Sequence, residues 1–178
     1  METLSVRELT ADDVPSLASY WVDSDPAFMQ SMGVDLSKIP SRNDLVDMLS
    51  QQLTQSYKDK KAYAIIGLLN GEAVGHCNVN KIVFGNEAAM HLHLWKSDTR
   101  QKGIGTALVK QSLPYFFKNL QLKKLWCEPY ALNPAPNKTL EKIGFEFVKE
   151  YVTVPGSLSF EQPTKQWLLT REKFDTLA

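Results

Sequence analysis

Apolar and polar residues alternate in short stretches along much of the chain, which is the pattern of β-strands with one buried face. Such stretches begin with LSVREL at Leu4 and recur as EAVGHCNVNKI and AAMHLHLW. A compact apolar strand, AYAIIGLL, precedes EAVGHCNVNKI, with Asn70-Gly71 between the two. Asn-Gly between two strand patterns is a strong signal for a tight hairpin. Three successive strands with short connections predict an antiparallel meander.

A period of three to four residues marks the predicted helices. TADDVPSLASYW begins at the candidate cap Thr10, and SRNDLVDMLSQQLTQSY begins at the candidate cap Ser41. The segment between them, SDPAFMQSMGVDLSKIP, is expected to be a loop or a broken helix. A further helix is predicted from Gly103, with a bend or restart at Pro114, and NPAPNKTLEKIGF predicts a short helix that ends at Gly144.

Three more strands are predicted near the end of the chain, in KKLWCEP, EFVKEYVTV and TKQWLLT. The total is then about seven strands and about four helices. A chain of 178 residues is the size of one domain, and it contains no repeat, low-complexity tract or linker. We therefore expect a single domain over residues 1–178 of mixed α/β (α+β) class, built on a long central sheet.

Composition narrows the class of protein. Lys plus Arg equals Asp plus Glu at 20 each, so no overall field attracts a polyanion, which argues against a general nucleic-acid binder. The apolar runs are far shorter than a membrane span, and the first residues lack the pattern of a signal peptide. Cys77 and Cys127 lie in predicted strands without CxxC spacing and are expected to be buried, reduced thiols. These features predict a cytoplasmic protein with no membrane partner.

The stretch TRQKGIGTALV follows the strand MHLHLW and opens a helix, which is the arrangement of an anion site. The first amides of a helix have no intrahelical partner, and the helix dipole adds partial positive charge there. Gly103 and Gly105 lack the Cβ atoms that would keep a phosphate away, and Arg100 and Lys102 can add charge at the rim. A simple strand-to-helix turn without a ligand is the alternative interpretation.

The glycine spacing excludes two phosphate-binding motifs. The nucleoside-triphosphate loop G-x-x-x-x-G-K-[ST] is absent. The dinucleotide fingerprint needs a third glycine where Leu108 stands, and it follows a parallel strand rather than the antiparallel strands predicted here.

Two motifs resemble those of the GNAT superfamily of N-acetyltransferases. RQKGIG matches the signature [Q/R]-x-x-G-x-[G/A], and NPAPNKTLEKIGF resembles the second signature N-x-x-S-x-x-x-x-E-K-x-G-F, most like the ribosomal-protein N-terminal acetyltransferase (RimJ/RimL-like) branch. The resemblance covers the second half of the chain, and the first half fits in element order. It implies a mostly antiparallel sheet that splays between the fourth and fifth strands. It also implies acetyl-CoA as co-substrate and a primary amine as acceptor, either a protein N-terminus or a small molecule.

The same resemblance implies how the cofactor would be held. Backbone amides around Arg100 to Thr106 would bind the pyrophosphate, the backbone of the fourth strand's end would pair with the pantetheine arm, and Asn133 would lie beside the other end of that arm. The implied cofactor-binding residues are His93, Leu94, Trp95, Arg100, Gln101, Lys102, Gly103, Ile104, Gly105, Thr106 and Asn133. Two positions depart from the family pattern: Pro136 replaces a serine, and Leu140 replaces the tyrosine that protonates the leaving thiolate in many relatives.

Candidates for the proton acceptor lie in NEAAMHLHLW. If the strand is regular from Glu87, then Glu87, His91 and His93 share one face. Glu87 also matches the general-base glutamate of the histone-acetylating branch. Glu87 could instead be a solvated turn residue, and the histidines could be polar residues on a half-exposed face. We expect direct transfer without an acyl-enzyme.

Other assignments remain open in this region. Two histidines at i, i+2 could chelate a metal, but no third ligand is evident, so we expect no metal site. Glu128 and Tyr130 could line the acceptor pocket or belong to the core or its rim. A homodimer is plausible for the class. A non-catalytic acyl-CoA-binding or sensor module is the alternative function, because the tyrosine is missing.

Overall fold

The protein, represented by a computed structural model that describes residues 3–100 and 103–177, is built on a seven-stranded sheet in the order β1-β2-β3-β4-β5-β7-β6. Neighbouring strands are antiparallel except β4 and β5, which run parallel. The strands are β1 Leu4–Glu8, β2 Tyr63–Leu69, β3 Glu72–Val83, β4 Glu87–Leu94, β5 Lys124–Cys127, β6 Glu146–Thr153 and β7 Gln162–Thr170.

The predicted meander is confirmed as β2, β3 and β4, with β1 added to its outer edge. Asn70 and Gly71 both have positive φ angles, 51° and 85°, so the β2–β3 hairpin turns as the Asn-Gly pair predicts. The chain order does not predict that β7 inserts between β5 and β6. Residues 167–170 of β7 pair with β5, and the first half of β7 lies beside the chain that follows β5, at the predicted site.

Six α-helices occur in the described residues, two more than the sequence pattern indicates. The segment expected to be a broken helix contains a short helix and a 3-10 turn, and a further helix follows β7. A π-helical stretch follows Pro114, consistent with the predicted break there. No helix in the described parts of the chain combines the length and apolar character needed to cross a membrane. The helices are α1 Val14–Asp23, α2 Pro26–Ser31, α3 Arg42–Thr54, α4 Ile104–Pro114, α5 Pro134–Ile143 and α6 Arg171–Leu177.

The main core lies between the sheet and the helices α4, α5 and α6. Its fully buried side chains include Leu108, Phe116, Phe117 and Leu125. The opposite face of the sheet carries α1, α2 and α3 over two smaller apolar clusters. These clusters leave room between the sheet and α3, and the cavity described below occupies it.

A buried carboxylate joins β1 to the start of α1. Asp13 is 6% exposed, and its oxygens accept hydrogen bonds from the Arg7 guanidinium at 2.6 and 2.9 Å. The backbone N–H and the hydroxyl of Thr10 donate to the same carboxylate. Burial raises the pKa of Asp13, but these hydrogen bonds and the Arg7 charge outweigh it and leave the pKa below its ordinary value.

Replacing Asp13 with asparagine should lower the free energy of unfolding by about 1–3 kcal/mol, since the Arg7 charge loses its partner. The folded pKa of Asp13 lies below the unfolded value of about 3.9. The contribution of Asp13 to the free energy of unfolding is therefore present above that value and is lost as the pH falls through the folded pKa. Urea unfolding at neutral pH and at successively lower pH measures both effects. The exposed neighbour variant Asp12→Asn is the control, and an equal loss in both variants would contradict the assignment.

Candidate active site

The strands β4 and β5 separate after a short parallel pairing. Their register comprises three residue pairs, from Glu87 with Lys124 to Ala89 with Trp126. One residue further, the Cys127 thiol donates to the Met90 carbonyl oxygen at 3.2 Å, so a side chain occupies the place of the next ladder bond. Burial raises the pKa of Cys127 to about 12, which keeps this group a thiol. The predicted splay between the fourth and fifth strands is confirmed.

A cavity of about 550 Å³ passes through this opening. On one face of the sheet it is lined by Val109 of α4 and Leu140 of α5. On the other face it is lined by α1, α3 and the loop 155–159 that joins β6 to β7. A molecule bound on the helix side of the sheet can therefore reach a molecule bound under α3 through the gap.

The edge of β4 that faces the gap consists of the backbone groups of Leu92 and Leu94. The Trp95 N–H donates to the Val74 carbonyl of β3 at 2.9 Å. Because backbone groups alternate in direction along a strand, those of His93 also face β3, and those of Leu94 face the opening. Of the three residues expected to pair with a pantetheine arm, only Leu94 presents its backbone there, and Leu92 is the residue that the sequence analysis missed.

The glycine turn is open at its first glycine. Gly103 precedes α4 with a φ angle of +76°, and a Cβ atom added to it would meet no atom of the described residues within 4 Å. The N–H groups of the first turn of α4, at Ile104, Gly105 and Thr106, point out of the helix at its positive end. Gln101 and Lys102 lie outside the described residues.

Gly105 allows the first turn of α4 to approach β4 closely. A Cβ atom at this position would lie 3.3 Å from Leu92 Cδ2 and 3.7 Å from Leu94 Cδ1. The missing side chain therefore positions the end of the helix beside the gap. Contact of the Gly105 backbone with a phosphate stays a prediction.

The Arg100 side chain points away from the turn. Its guanidinium lies over the Phe28 ring, 3.6 Å from the ring centroid, and donates to the Leu94 carbonyl oxygen at 3.2 Å. The expected rim charge from this residue is therefore not found at the mouth of the turn. Instead, Arg100 joins the loop before α4 to α2.

Two of the three histidines, the buried His76 and the half-buried His93, form an aromatic stack on the α1 side of the sheet. The rings of His76 and His93 lie 4.8 Å apart, with an interplanar angle of 23°. The Trp95 indole donates to His76 Nδ1 at 2.8 Å, and the Tyr20 hydroxyl lies 3.0 Å from His93 Nδ1. Burial lowers the pKa of His76 to about 3 and lowers the pKa of His93 well below its ordinary value, so both rings are neutral at neutral pH.

The third histidine, His91, lines the cavity with a defined tautomer. Its Nε2 lies 3.1 Å from the Asn80 side-chain oxygen, which can only accept. Nε2 therefore carries the proton, and Nδ1 retains a lone pair. Burial and the Lys81 charge lower the pKa of His91, Glu128 raises it, and the result is about 4.

Glu87 lies away from the cavity. It shares a strand face with the histidines, as the period of two predicts, but its Oε2 accepts a hydrogen bond from the Trp126 indole at 2.8 Å. It is not among the residues that line the cavity. The structure thus separates Glu87 from His91 and His93, which do line it.

The start of α5 forms the far end of the cavity. Asn133 caps this helix and lines the cavity, and the buried Asn137 donates to the Asn133 and Tyr130 carbonyl oxygens at 2.9 and 3.2 Å. Leu140 lines the same end and is 2% exposed, so the family's tyrosine position carries no hydroxyl.

The sequence patterns did not identify several residues of the cavity floor. His76, Asn78 and Asn80 of β3 line it beside the β4 histidines, and their period-two spacing in GHCNVNK was the signal that could have found them. No group of three or more His, Cys, Asp or Glu side chains in residues 3–100 and 103–177 is arranged to hold a metal.

Comparison with known proteins identifies a family and a set of similar folds. Residues 3–146 match the acetyltransferase (GNAT) domain family. No curated protein matches the sequence. The fold is similar to that of spermidine N-acetyltransferase from Vibrio cholerae in complex with CoA and spermine, with a TM-score of 0.78 and 17% identity, covering 96% of this chain and 97% of that chain.

Two further solved structures are similar over nearly their whole length. RimL, a ribosomal-protein α-N-acetyltransferase in complex with coenzyme A, has a TM-score of 0.78 and 13% identity, covering 96% of both chains. An aminoglycoside acetyltransferase in complex with coenzyme A has a TM-score of 0.73 and 17% identity, covering 98% of both chains. At these identities the likeness concerns the fold.

The lowered pKa values of the histidines predict a pH dependence of stability. All three histidines of the chain have folded pKa values below the unfolded value of about 6.5, so the unfolded chain binds protons that the folded chain excludes. Their contribution to the free energy of unfolding is present above about pH 6.5 and is lost as the pH falls toward the folded pKa values. The loss is up to about 1.4 kcal/mol per pH unit for each histidine.

Near pH 5, the unfolding free energy of His76→Gln should change less steeply with pH than that of the wild type. The difference should be about 1.4 kcal/mol per pH unit, the contribution of one proton. Urea unfolding at several pH values measures this slope. Asn78→Gln changes the same strand face without removing a titrating group and should keep the wild-type slope. An unchanged slope in His76→Gln would contradict a neutral, buried His76.

Proposed function

Because the chain belongs to the acetyltransferase (GNAT) family, we propose that it moves an acetyl group from acetyl-CoA to a primary amine held in the cavity between β4 and β5. The supporting observation is the cavity itself, which joins the α4 side of the sheet to the α3 side through the gap. A donor and an acceptor on opposite faces would meet there, beside His91. Offering amines with acetyl-CoA and measuring the release of free thiol tests this function.

Acetyl-CoA supplies an activated acetyl thioester, and the donor side of the site fits it. The amides from Gly103 to Thr106 are proposed to bind the pyrophosphate, because they end a helix and Gly103 leaves the approach open. Backbone contacts of Arg100, Gln101 and Lys102 with the pyrophosphate stay predictions from the sequence, and Gln101 and Lys102 lie outside the described residues. The Leu92 and Leu94 backbone groups at the gap would pair with the pantetheine arm, and Asn133 would lie beside its other end.

His91 is the residue we propose to accept the proton of the amine. It lines the cavity at the gap, it is neutral at neutral pH, and Asn80 leaves the Nδ1 lone pair available. The His93 Nδ1 atom lies against the Tyr20 hydroxyl, so we assign this ring to shaping the cavity floor. Glu87 is not retained as a base, because its carboxylate is held by Trp126 outside the cavity.

The predicted homodimer and the predicted cytoplasmic location both stay proposals. The outer strand β6 exposes the apolar side chains Phe147, Val148 and Val152 at the edge of the sheet, and we propose this edge as the place where a second copy would pair. A cytoplasmic location remains a prediction from the sequence alone.

The anion site is tested by Gly103→Asp. A carboxylate at the open end of α4 would repel the pyrophosphate, and we expect the affinity for coenzyme A to fall by about tenfold or more. Isothermal titration calorimetry measures the change. The control is Gly85→Asp, because Gly85 has the same φ angle of +76° and the same open surroundings but lies in the turn between β3 and β4 rather than at the start of a helix. Both variants should lose similar stability, and unchanged affinity in Gly103→Asp would contradict the assignment.

The proton acceptor is tested by His91→Ala. We expect kcat/KM to fall by about two to four orders of magnitude, as for the loss of a general base, while the affinity for coenzyme A is retained. Glu87→Gln should change kcat/KM by no more than a small factor. A strong loss in Glu87→Gln with little loss in His91→Ala would reverse the assignment. Thiol release under steady-state conditions measures both variants.

A further inference from the structure

The acceptor side of the cavity has apolar walls and a neutral polar floor. Leu17 and Trp21 of α1 and Leu45 and Leu49 of α3 line the walls. The floor consists of amide and imidazole side chains of β3 and β4, such as Asn78. The imidazoles add no charge at neutral pH, because burial lowers their pKa values.

Charged side chains are scarce along this lining. Within the described parts of the chain, the residues that line the whole cavity include one carboxylate, Glu128, and one ammonium group, Lys61. A second cation lies close by, since Lys81 lowers the pKa of His91 and donates to the Pro155 carbonyl of the loop at 3.1 Å. Negative charge is thus concentrated at a single point.

Glu128 is positioned at the gap, directly after β5. Its Oε1 accepts hydrogen bonds from the Tyr151 hydroxyl at 2.7 Å and from the Gln166 amide at 2.6 Å. These bonds fix the carboxylate from the side of β6 and β7. The other oxygen, Oε2, can accept from an amino group, and its charge raises the pKa of His91.

We propose that the acceptor of this site is a singly charged primary amine whose body carries no further positive charge. The inference rests on the transferase function proposed above and names the substrate class of the same cavity. Glu128 binds the amino group, and the apolar walls hold the uncharged body. The amine can be a free monoamine or the N-terminus of a chain with an apolar first residue, since both present the same chemistry.

A second ammonium group finds no second carboxylate among the lining residues that the structure describes. Moving a charged group from water into an apolar site without a partner is strongly unfavourable. Polyamines and aminoglycosides carry several such groups, so the lining selects against them by leaving their charges unpaired.

The test compares two acceptors with the same six-carbon body, hexylamine and hexamethylenediamine, in the full-length protein with acetyl-CoA. We expect kcat/KM to be at least about tenfold higher for hexylamine, because the diamine must bury a second charge. A tripeptide amide that begins with leucine is the third acceptor. A higher kcat/KM for it than for hexylamine identifies a chain N-terminus as the source, and the reverse identifies a free amine.

A matched pair of variants assigns the preference to the cavity. Met48 lines the cavity on α3 with a side chain that is 58% exposed, so Met48→Glu adds a second carboxylate there without disturbing the core. It should reduce the preference for hexylamine by about tenfold. Ser50→Glu adds the same charge to an exposed position of α3 outside the cavity lining and should leave the preference unchanged.

The outcomes separate this inference from the proposed function. Equal or faster transfer to the diamine in the wild type overturns the inference and leaves the transferase function intact. A preference for hexylamine that responds equally to Met48→Glu and Ser50→Glu also overturns it. If the protein releases no thiol with any of the three acceptors but does so with a polyamine or an aminoglycoside, the inference fails and the transferase function stands. If it binds acetyl-CoA but releases no thiol with any amine offered, the transferase function fails, and the inference fails with it.

Discussion

The early end of the pairing between β4 and β5 is the constraint on which the rest of the site depends. Hydrogen bonds join the two strands over three residue pairs, and then β5 ends before Pro129, which has no N–H to continue a ladder. The Cys127 thiol binds the Met90 carbonyl at the apex and satisfies the first group that lost its partner. Beyond it, the Leu92 and Leu94 backbone groups face the opening.

The gap stays open because other elements hold both of its sides. Gly105 lets α4 pack closely on Leu92 and Leu94, which supports β4 from the core side. On the β5 side, the bonds from Tyr151 and Gln166 to Glu128 tie the end of the strand to β6 and β7. The opening is therefore built into the packing of the sheet.

Local patterns predicted the elements that carry the proposed donor half of the site, since that half lies in contiguous stretches of chain. The turn before α4 and the helix from Pro134 are read from neighbouring residues, and their types hold in the structure. The role of Gly105 could not be read in this way, because it depends on which strand α4 packs against. The direction of the Arg100 side chain depends likewise on Phe28, which is distant in the sequence. Glu87 lies on the predicted face of β4, but at the end that pairs with β5, outside the cavity lining.

The acceptor half combines α1, α3, β3, β4 and the loop 155–159, and no single stretch of sequence contains it. Solved structures with the same fold at 13–17% identity are named for acetylating a polyamine, an aminoglycoside and a ribosomal protein. The shared fold can therefore preserve donor chemistry, which uses backbone amides and a strand gap, while the walls change. In walls that are mostly apolar, each added or removed carboxylate has a large effect, because few other charges or waters screen it. The choice of acceptor then depends on a few charges in the cavity walls. Among the described residues of this chain, Glu128 is the one carboxylate that lines the cavity.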